Sequence, residues 1–218
     1  MSTTPATETP ARDDAGTRER LVTVAADLFA DRGFQRVTVR EICAAAGANV
    51  AAVNYHFGDK EGLYRAVVQE AIRIMRETHD LSAEAGRGVP VEEQLAAFIR
   101  VFLSRLTGHG RLSWIHKLMV REMDQPGEAL RLVVREVIEP RIAYLSGLIG
   151  TIAGLPADDP RVLRAALSIQ AQCLVFARPL PPHLPAALSR VRLDVDAAAT
   201  HIAAFSIAAL HRLHEQPA

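Results

Sequence analysis

The chain has 218 residues, 49% of them hydrophobic and 23% charged, and its 25 basic residues are matched by 25 acidic ones. That is enough chain for one or two domains with a sizeable core, in the range of an ordinary soluble globular protein. The neutral balance excludes a chain that is basic throughout, the usual footprint of nucleic-acid binding, but a small DNA-reading head on a neutral or acidic body averages to the same value.

Residues 1–16, MSTTPATETPARDDAG, lack the apolar stretch of a secretory signal and read as a disordered polar tail. From there the pattern is helical. Leu21, Val24, Ala25, Leu28 and Phe29 follow the spacing of one apolar helix face, with Thr17 as the expected N-cap and Gly33 just past the end. Thr38-Val39-Arg40-Glu41 fits a capping box that starts a short helix with Ile42 and Ala45 inward. Gly47 ends it and Asn49 caps the next, in which Val53 and Phe57 face inward and Asn54-Tyr55-His56 follow one another. After Gly58, Asp59 caps a longer helix through Leu63, Val67, Ile74 and Met75 to about Leu81.

Residues 83–90 read as a linker, with Pro90 in the first turn of a helix whose stripe is Leu95, Phe98, Ile99, Phe102 and Leu106. A loop at residues 107–110 precedes a helix over residues 112–123, and Pro126-Gly127 breaks the chain. A long helix is expected over residues 128–152, kinked at Pro140. Asp159-Pro160 opens another that stops before Pro179, and the proline-rich RPLPPHLP at residues 178–185 is irregular. The last helix starts near Asp194 or Asp196 and carries Ile202, Phe205, Ile207, Ala209 and Leu210. No segment alternates with a strand period. The expectation is an all-α protein of about nine helices: a tail at 1–16, a helix-turn-helix head at 17–60, and a larger ligand-binding and dimerisation bundle at 61–218.

The two short helices around Gly47 have the form of a helix-turn-helix, whose second helix enters the DNA major groove. Its polar groups are Asn49, Asn54, Tyr55 and His56. Asn54 suits an adenine edge, Tyr55 and His56 suit phosphates, and Thr38 at a helix start suits another phosphate; Arg40 and Lys60 add positive charge at either end. Between Thr17 and Lys60, six basic residues face five acidic ones, and the presumed reading helix has no Lys or Arg. Weak charge means little counterion release per head, so tight binding needs two heads on one DNA, hence a homodimer.

On LFADRGFQRVTVREICAAAGANVAAVNYHFGDKEGLY, with Phe29…Gly33-Phe34, Thr38…Ile42…Ala46-Gly47 and Tyr55-His56-Phe57…Lys60-Glu61-Gly62-Leu63, the chain resembles the TetR family of bacterial repressors. The resemblance implies that the three-helix head binds double-stranded operator DNA and that Thr38, Tyr55, His56 and Lys60 contact its backbone. Many members carry polar residues such as Ser-Lys early in the third helix. Here Asn49, Val50, Ala51 and Ala52 stand there, which shifts base reading to Asn49, Ala52 and Asn54, with methyl contacts to thymine.

The C-terminal segments HKLMVREMDQPGEALRLVVREVIEPRIAYLSGLI, QAQCLVFARP and HIAAFSIAAL resemble the CecR-like branch, with a CerR-type C-terminal domain. That implies a dimer interface from about Pro160–Phe176 and Asp196–His211; alanines 165, 166, 197–199, 203, 204, 208 and 209 allow close helix approach there. It also implies a small-molecule effector in the bundle, and the expected lining is Phe98, Phe102, Trp114, His116, Met119, Met123, Gln172 and Phe176, suited to a mostly apolar ligand with a few polar handles. Arg121-Glu122 is either a solvated face or a buried switch.

The sequence holds none of the phosphate-loop, nucleophile-elbow, HExxH or dinucleotide motifs of common enzymes, and His211 with His214 has no ligand cluster around it, so neither catalysis, metal nor cofactor is expected. Cys43 and Cys173 lack ligand spacing and read as buried reduced thiols of a cytoplasmic protein. The best membrane candidate, residues 165–177, falls short of the roughly 18 apolar residues a span needs and contains Gln170 and Gln172. The alternative to a regulator is an all-helical protein-interaction module that does not bind DNA.

Overall fold

The computed structural model describes residues 11–107, 113–124, 128–177 and 194–215. They form an all-α chain without strands among the described residues: α1 Ala11–Arg32, α2 Val39–Ala46, α3 Val50–Phe57, α4 Lys60–Ala85, α5 Val91–Thr107, α6 Ser113–Asp124, α7 Glu128–Val133, α8 Glu139–Ala153, α9 Pro160–Phe176 and α10 Val195–Leu210. The expected residue 108–110 loop, the Pro126-Gly127 break, the proline-rich 178–185 stretch and the first ten residues of the tail lie outside the described residues.

The helix stops follow the local chemistry. Thr38 accepts from the Glu41 amide at 3.3 Å while Glu41 Oε2 takes the Thr38 amide at 2.8 Å, so the capping box is complete. Gly47 closes α2 with φ 61, in the left-handed region that glycine enters without cost. Asn49, Asp159 and Asp194 cap α3, α9 and α10 through their side chains. Such caps contribute roughly 1 kcal/mol each.

Three expectations need correction. Helix α1 begins at Ala11, so residues 11–16 are helical rather than tail, and Thr17 is an interior residue whose hydroxyl accepts from Arg20. Helix α4 continues past Leu81 to Ala85, because the first glycine comes at Gly86, and the linker is correspondingly shorter. Pro90 precedes α5, giving its carbonyl to the Gln94 amide. The long helix expected over residues 128–152 runs without interruption from Glu128 to Ala153 as α7, a π-helical turn at Val134–Ile138 and α8; a proline supplies no amide to the preceding turn, and the wider turn ahead of Pro140 accommodates that gap.

The chain divides into two compact units. The first, residues 1–71 with 114–130, packs α1, α2 and α3 around Leu21, Ala25, Phe29, Ile42, Val53 and Leu63, all fully buried. The second, residues 72–113 with 131–218, packs α5, α8, α9 and α10 around Leu95, Ile99, Leu145, Ile149, Ile169 and Ile202. The expected boundary at residue 60 thus falls inside the first unit, and α4 contributes its first twelve residues (60–71) to that unit and the rest to the second. None of the described helices is long and apolar enough to cross a membrane. Cys43 and Cys173 are free and buried, and burial pushes both thiols up, Cys173 to about 12.

Candidate nucleic-acid interface

Helix α3 has eight residues and buries only Val53 fully. With 3.6 residues per turn, positions 50, 51, 54 and 55 form one stripe along the helix, in which 51 and 55 lie opposite Val53. All four are exposed: Val50 at 42%, Tyr55 at 77%, with Ala51 and Asn54 between them. This stripe is the surface that α3 offers to a groove. Two of its members, Val50 and Ala51, were not chosen from the sequence as readers; the signal that identifies them is their i, i+4 relation to Asn54 and Tyr55. Ala52, which was chosen, is half-buried.

The structure gives the other expected residues different duties. Asn49 is exposed, but its Oδ1 accepts from the Ala52 amide at 2.8 Å, so half of its amide serves as the cap. Thr38 is also exposed, yet its hydroxyl donates to Glu41 Oε2 at 2.7 Å, and Glu41 also meets Arg32 at 2.8 Å. The Thr38 hydrogen bonds first, then Arg32, lower the Glu41 pKa from 4.5 to about 2. A phosphate arriving at the start of α2 therefore meets a carboxylate already seated there. Arg40 is exposed, and Lys60 lies 4.3 Å above the Phe34 ring, a cation–π contact that sets the direction of its side chain. His56 is covered, with a side chain only 8% exposed and its Nε2 3.2 Å from Asp14 Oδ1.

The exit from α3 depends on Gly62. A Cβ there would lie 1.9 Å from the Phe57 carbonyl oxygen, so only glycine lets the start of α4 approach the end of α3 this closely. Asp59 Oδ1 accepts from the Gly62 amide at 2.7 Å, holding the same corner as expected.

Helix α6 completes the unit. Arg121 Nε donates to the Ala30 carbonyl at 2.8 Å and its Nη2 to the Asp31 carbonyl, while Lys117 Nζ meets the Asp31 carboxylate at 2.5 Å. Two donors of Arg121 thus satisfy carbonyls at the end of α1, where helical carbonyls lack internal partners, and Lys117 pairs with a side chain of the same turn. Tyr64 donates to Glu122 Oε1 and packs against Phe29 and Phe34, with ring centroids 5.2 and 5.0 Å away. Burial first, then Glu122, pushes the Tyr64 hydroxyl pKa up. Arg121 and Glu122 are therefore ties within the head.

The expected effector lining separates between the units. Phe98 and Phe102 are buried and stacked at 5.7 Å in the second unit, where Phe176 packs against the same core and Gln172 is half-buried. Trp114, His116, Met119 and Met123 belong to the first unit; Trp114 is buried, His116 and Met119 are half-buried, and Met123 is 62% exposed.

Helices α9 and α10 pack together and leave an apolar face uncovered. Leu163, Leu167 and Leu174 of α9, and His201, Ala204, Phe205 and Ala208 of α10, are exposed, Phe205 at 62%. The His201 ring stacks on Phe205 and also lies 6.1 Å from Phe176, joining the two helices across this face. Of the alanines expected here, Ala166 points into the core with Val162 and Ile169 of α9, and Ala198, Ala199 and Ala203 do so with Ile202 and Leu210 of α10, while Ala197, Ala204, Ala208 and Ala209 point out.

Comparison with known proteins matches residues 21–67 to the family model "Bacterial regulatory proteins, tetR family" and residues 91–210 to "HTH-type transcriptional dual regulator CecR, C-terminal domain". The chain is 29% identical over 168 residues to the HTH-type transcriptional dual regulator CecR of Shigella flexneri, covering 73% of this chain and 74% of the relative. Its fold is similar to that of AibR in complex with isovaleryl coenzyme A and operator DNA, with TM-score 0.61 and 19% identity over 87% of this chain and 97% of that one. It is equally similar to a transcriptional regulator from Saccharomonospora viridis in complex with choline, with TM-score 0.61 and 17% identity over 88% and 95% of the chains.

Proposed function

Because the chain belongs to the TetR family of bacterial transcription regulators, with a C-terminal domain of the CecR type, we propose that it is a ligand-responsive repressor working in the cytoplasm. It binds a palindromic operator as a homodimer and leaves it when a small, mostly apolar ligand occupies the second unit. Membership makes it a DNA-binding regulator rather than an enzyme. The observation that carries it is the exposed Val50, Ala51, Asn54, Tyr55 stripe on a helix anchored by the buried Val53.

The stripe is short, uncharged and partly apolar, so one head gains little from phosphate neutralisation. Pairing two heads supports operator affinity, and the uncovered α9–α10 face supports the pairing. The small-molecule part of the reading is supported by the choline and isovaleryl coenzyme A complexes of two fold neighbours. Coupling is assigned to α4, whose residues 60–71 belong to the first unit and 72–85 to the second. A ligand shifts operator binding only by its differential affinity for the DNA-bound and released states. The test is fluorescence anisotropy of the purified chain on the DNA upstream of its own gene. Binding that weakens steeply with salt is expected; no binding at low salt overturns the proposal and favours an interaction module.

A further inference from the structure

Within the second unit, one cation stands on an apolar stripe. Arg141 of α8 follows Val137 by four residues and precedes Leu145 by four, both of which are buried, so helical spacing carries it inward with them. Its guanidinium carbon lies 5.1 Å from the Phe102 ring centroid. Its Nε is buried without a hydrogen-bond partner, and it has no ion-pair partner among the described residues. Burial lowers its pKa to about 10. Glu136, a carboxylate shortly before it in sequence, is held 3.6 Å from both Arg76 and Arg135.

A second unsatisfied group belongs to the same cluster. His79 Nδ1 of α4 is buried without a partner, and its ring stands edge-on to Tyr144 at 5.3 Å. Tyr144 lies 6.1 Å from Phe98, which stacks on Phe102. Three helices thus bring together an uncompensated cation, an unpaired imidazole nitrogen and three aromatic rings. A cation–π contact offsets part of the desolvation of a guanidinium but leaves the buried Nε without an acceptor. A carboxylate meets the guanidinium fork with two parallel charge-assisted bonds, and the rings supply an apolar seat for the group that carries it.

We propose that the second unit binds an amphiphilic carboxylate, with Arg141 pairing the acid and Phe98, Phe102 and Tyr144 packing its aromatic or aliphatic body. This rests on the ligand-responsive reading above and narrows it from a mostly apolar effector to an anionic one.

The test uses the full chain with octanoate and 4-phenylbutyrate as probes, each beside its neutral amide, and reads the melting temperature. At least one acid raises the melting temperature of the parent and its amide does not. In Arg141→Met, which keeps the packing of the side-chain stem, the affinity for that acid falls by about 30-fold or more. Without ligand, Arg141→Met melts higher than the parent, because a buried uncompensated charge is gone. The proposal is overturned if neither acid binds, if acid and amide act alike, if Arg141→Met keeps the acid response, or if it melts lower without ligand. Operator binding by ligand-free parent and variant is measured alongside. If that persists while the acids fail, only the anionic inference falls; if it is absent in both, the regulator reading falls on its own.

Discussion

Asp14 Oδ1 lies 3.2 Å from His56 Nε2, so an acidic side chain near the start of α1 covers the histidine at the end of the reading helix. The resemblance assigns His56 to a DNA phosphate. In the free protein that position is taken by a carboxylate, which is also half exposed and repels an approaching backbone. Asp14→Asn is expected to tighten operator binding by about two- to fivefold, as removing one half-exposed carboxylate from the path of a phosphate is worth under about 1 kcal/mol. Anisotropy titrations of parent and variant at matched salt check this. Unchanged or weaker binding would mean that Asp14 serves to position His56 and does not compete with phosphate.

The exposed stripe divides its labour between position and sequence. Tyr55→Phe should weaken binding by about 1 kcal/mol, evenly over operator variants, since a hydroxyl-to-phosphate bond carries no sequence information. Asn54→Ala should cost about 1–3 kcal/mol on the preferred operator and relax discrimination at one base pair. Titration of both variants against a set of single-base operator changes separates the two behaviours. A Tyr55→Phe effect confined to particular bases would reverse the assignment.

Helix α6 was legible as a helix, but its allegiance was not. Large apolar residues such as its Trp114 and methionines mark any core, and nothing in their spacing tells which neighbour they meet. Arg121, Lys117 and Glu122 tie the helix to partners far away in sequence, at Ala30, Asp31 and Tyr64. By contrast, the caps at Thr38, Asn49 and Asp59 were legible because their partners lie three residues on. The α3 stripe was half legible: polarity singled out Asn54 and Tyr55, but Val50 and Ala51 emerge only when the buried side of the helix is known. Arg121→Ala should cost about 1 kcal/mol of stability and speed amide exchange at the end of α1. Exchange that stays unchanged there would show that the carbonyls find water at no cost.

Glu41 makes the head sensitive to acid. Its pKa in the folded chain is lowered from 4.5 to about 2, chiefly by the Thr38 hydrogen bonds. A depressed carboxyl pKa contributes stability that is fully present above the ordinary value and is lost as pH falls toward the folded one. The contribution of Glu41 should therefore fade from about pH 4.5 down to about pH 2. Glu41→Gln should lower the melting temperature at neutral pH and flatten its fall over that window. Asp159, whose pKa is also about 2 through its bonds to Arg161, keeps some acid slope in the variant. An unaltered slope would remove Glu41 as a source.

The uncovered face of α9 and α10 tests the dimer directly. Phe205 is 62% exposed, whereas Ile202 and Leu210 of the same helix are buried. It follows Ile202 by three residues, but the packed stripe runs through Ala199, Ala203, Ser206 and Leu210, which turns Phe205 outward beside His201. An aromatic ring left in water on an apolar face loses the roughly 1.5–3 kcal/mol that burial of such a side chain brings. A second copy presenting the same face recovers that for both rings at once, as a twofold interface is self-complementary. Phe205→Glu should therefore shift the chain from dimer to monomer in sedimentation velocity. Its helix content should be retained, since the position touches no core. Operator affinity should fall with the mass, because each head then binds alone. A variant that stays dimeric would move the interface off this face, and one that turns monomeric yet binds as tightly would break the link between pairing and operator affinity.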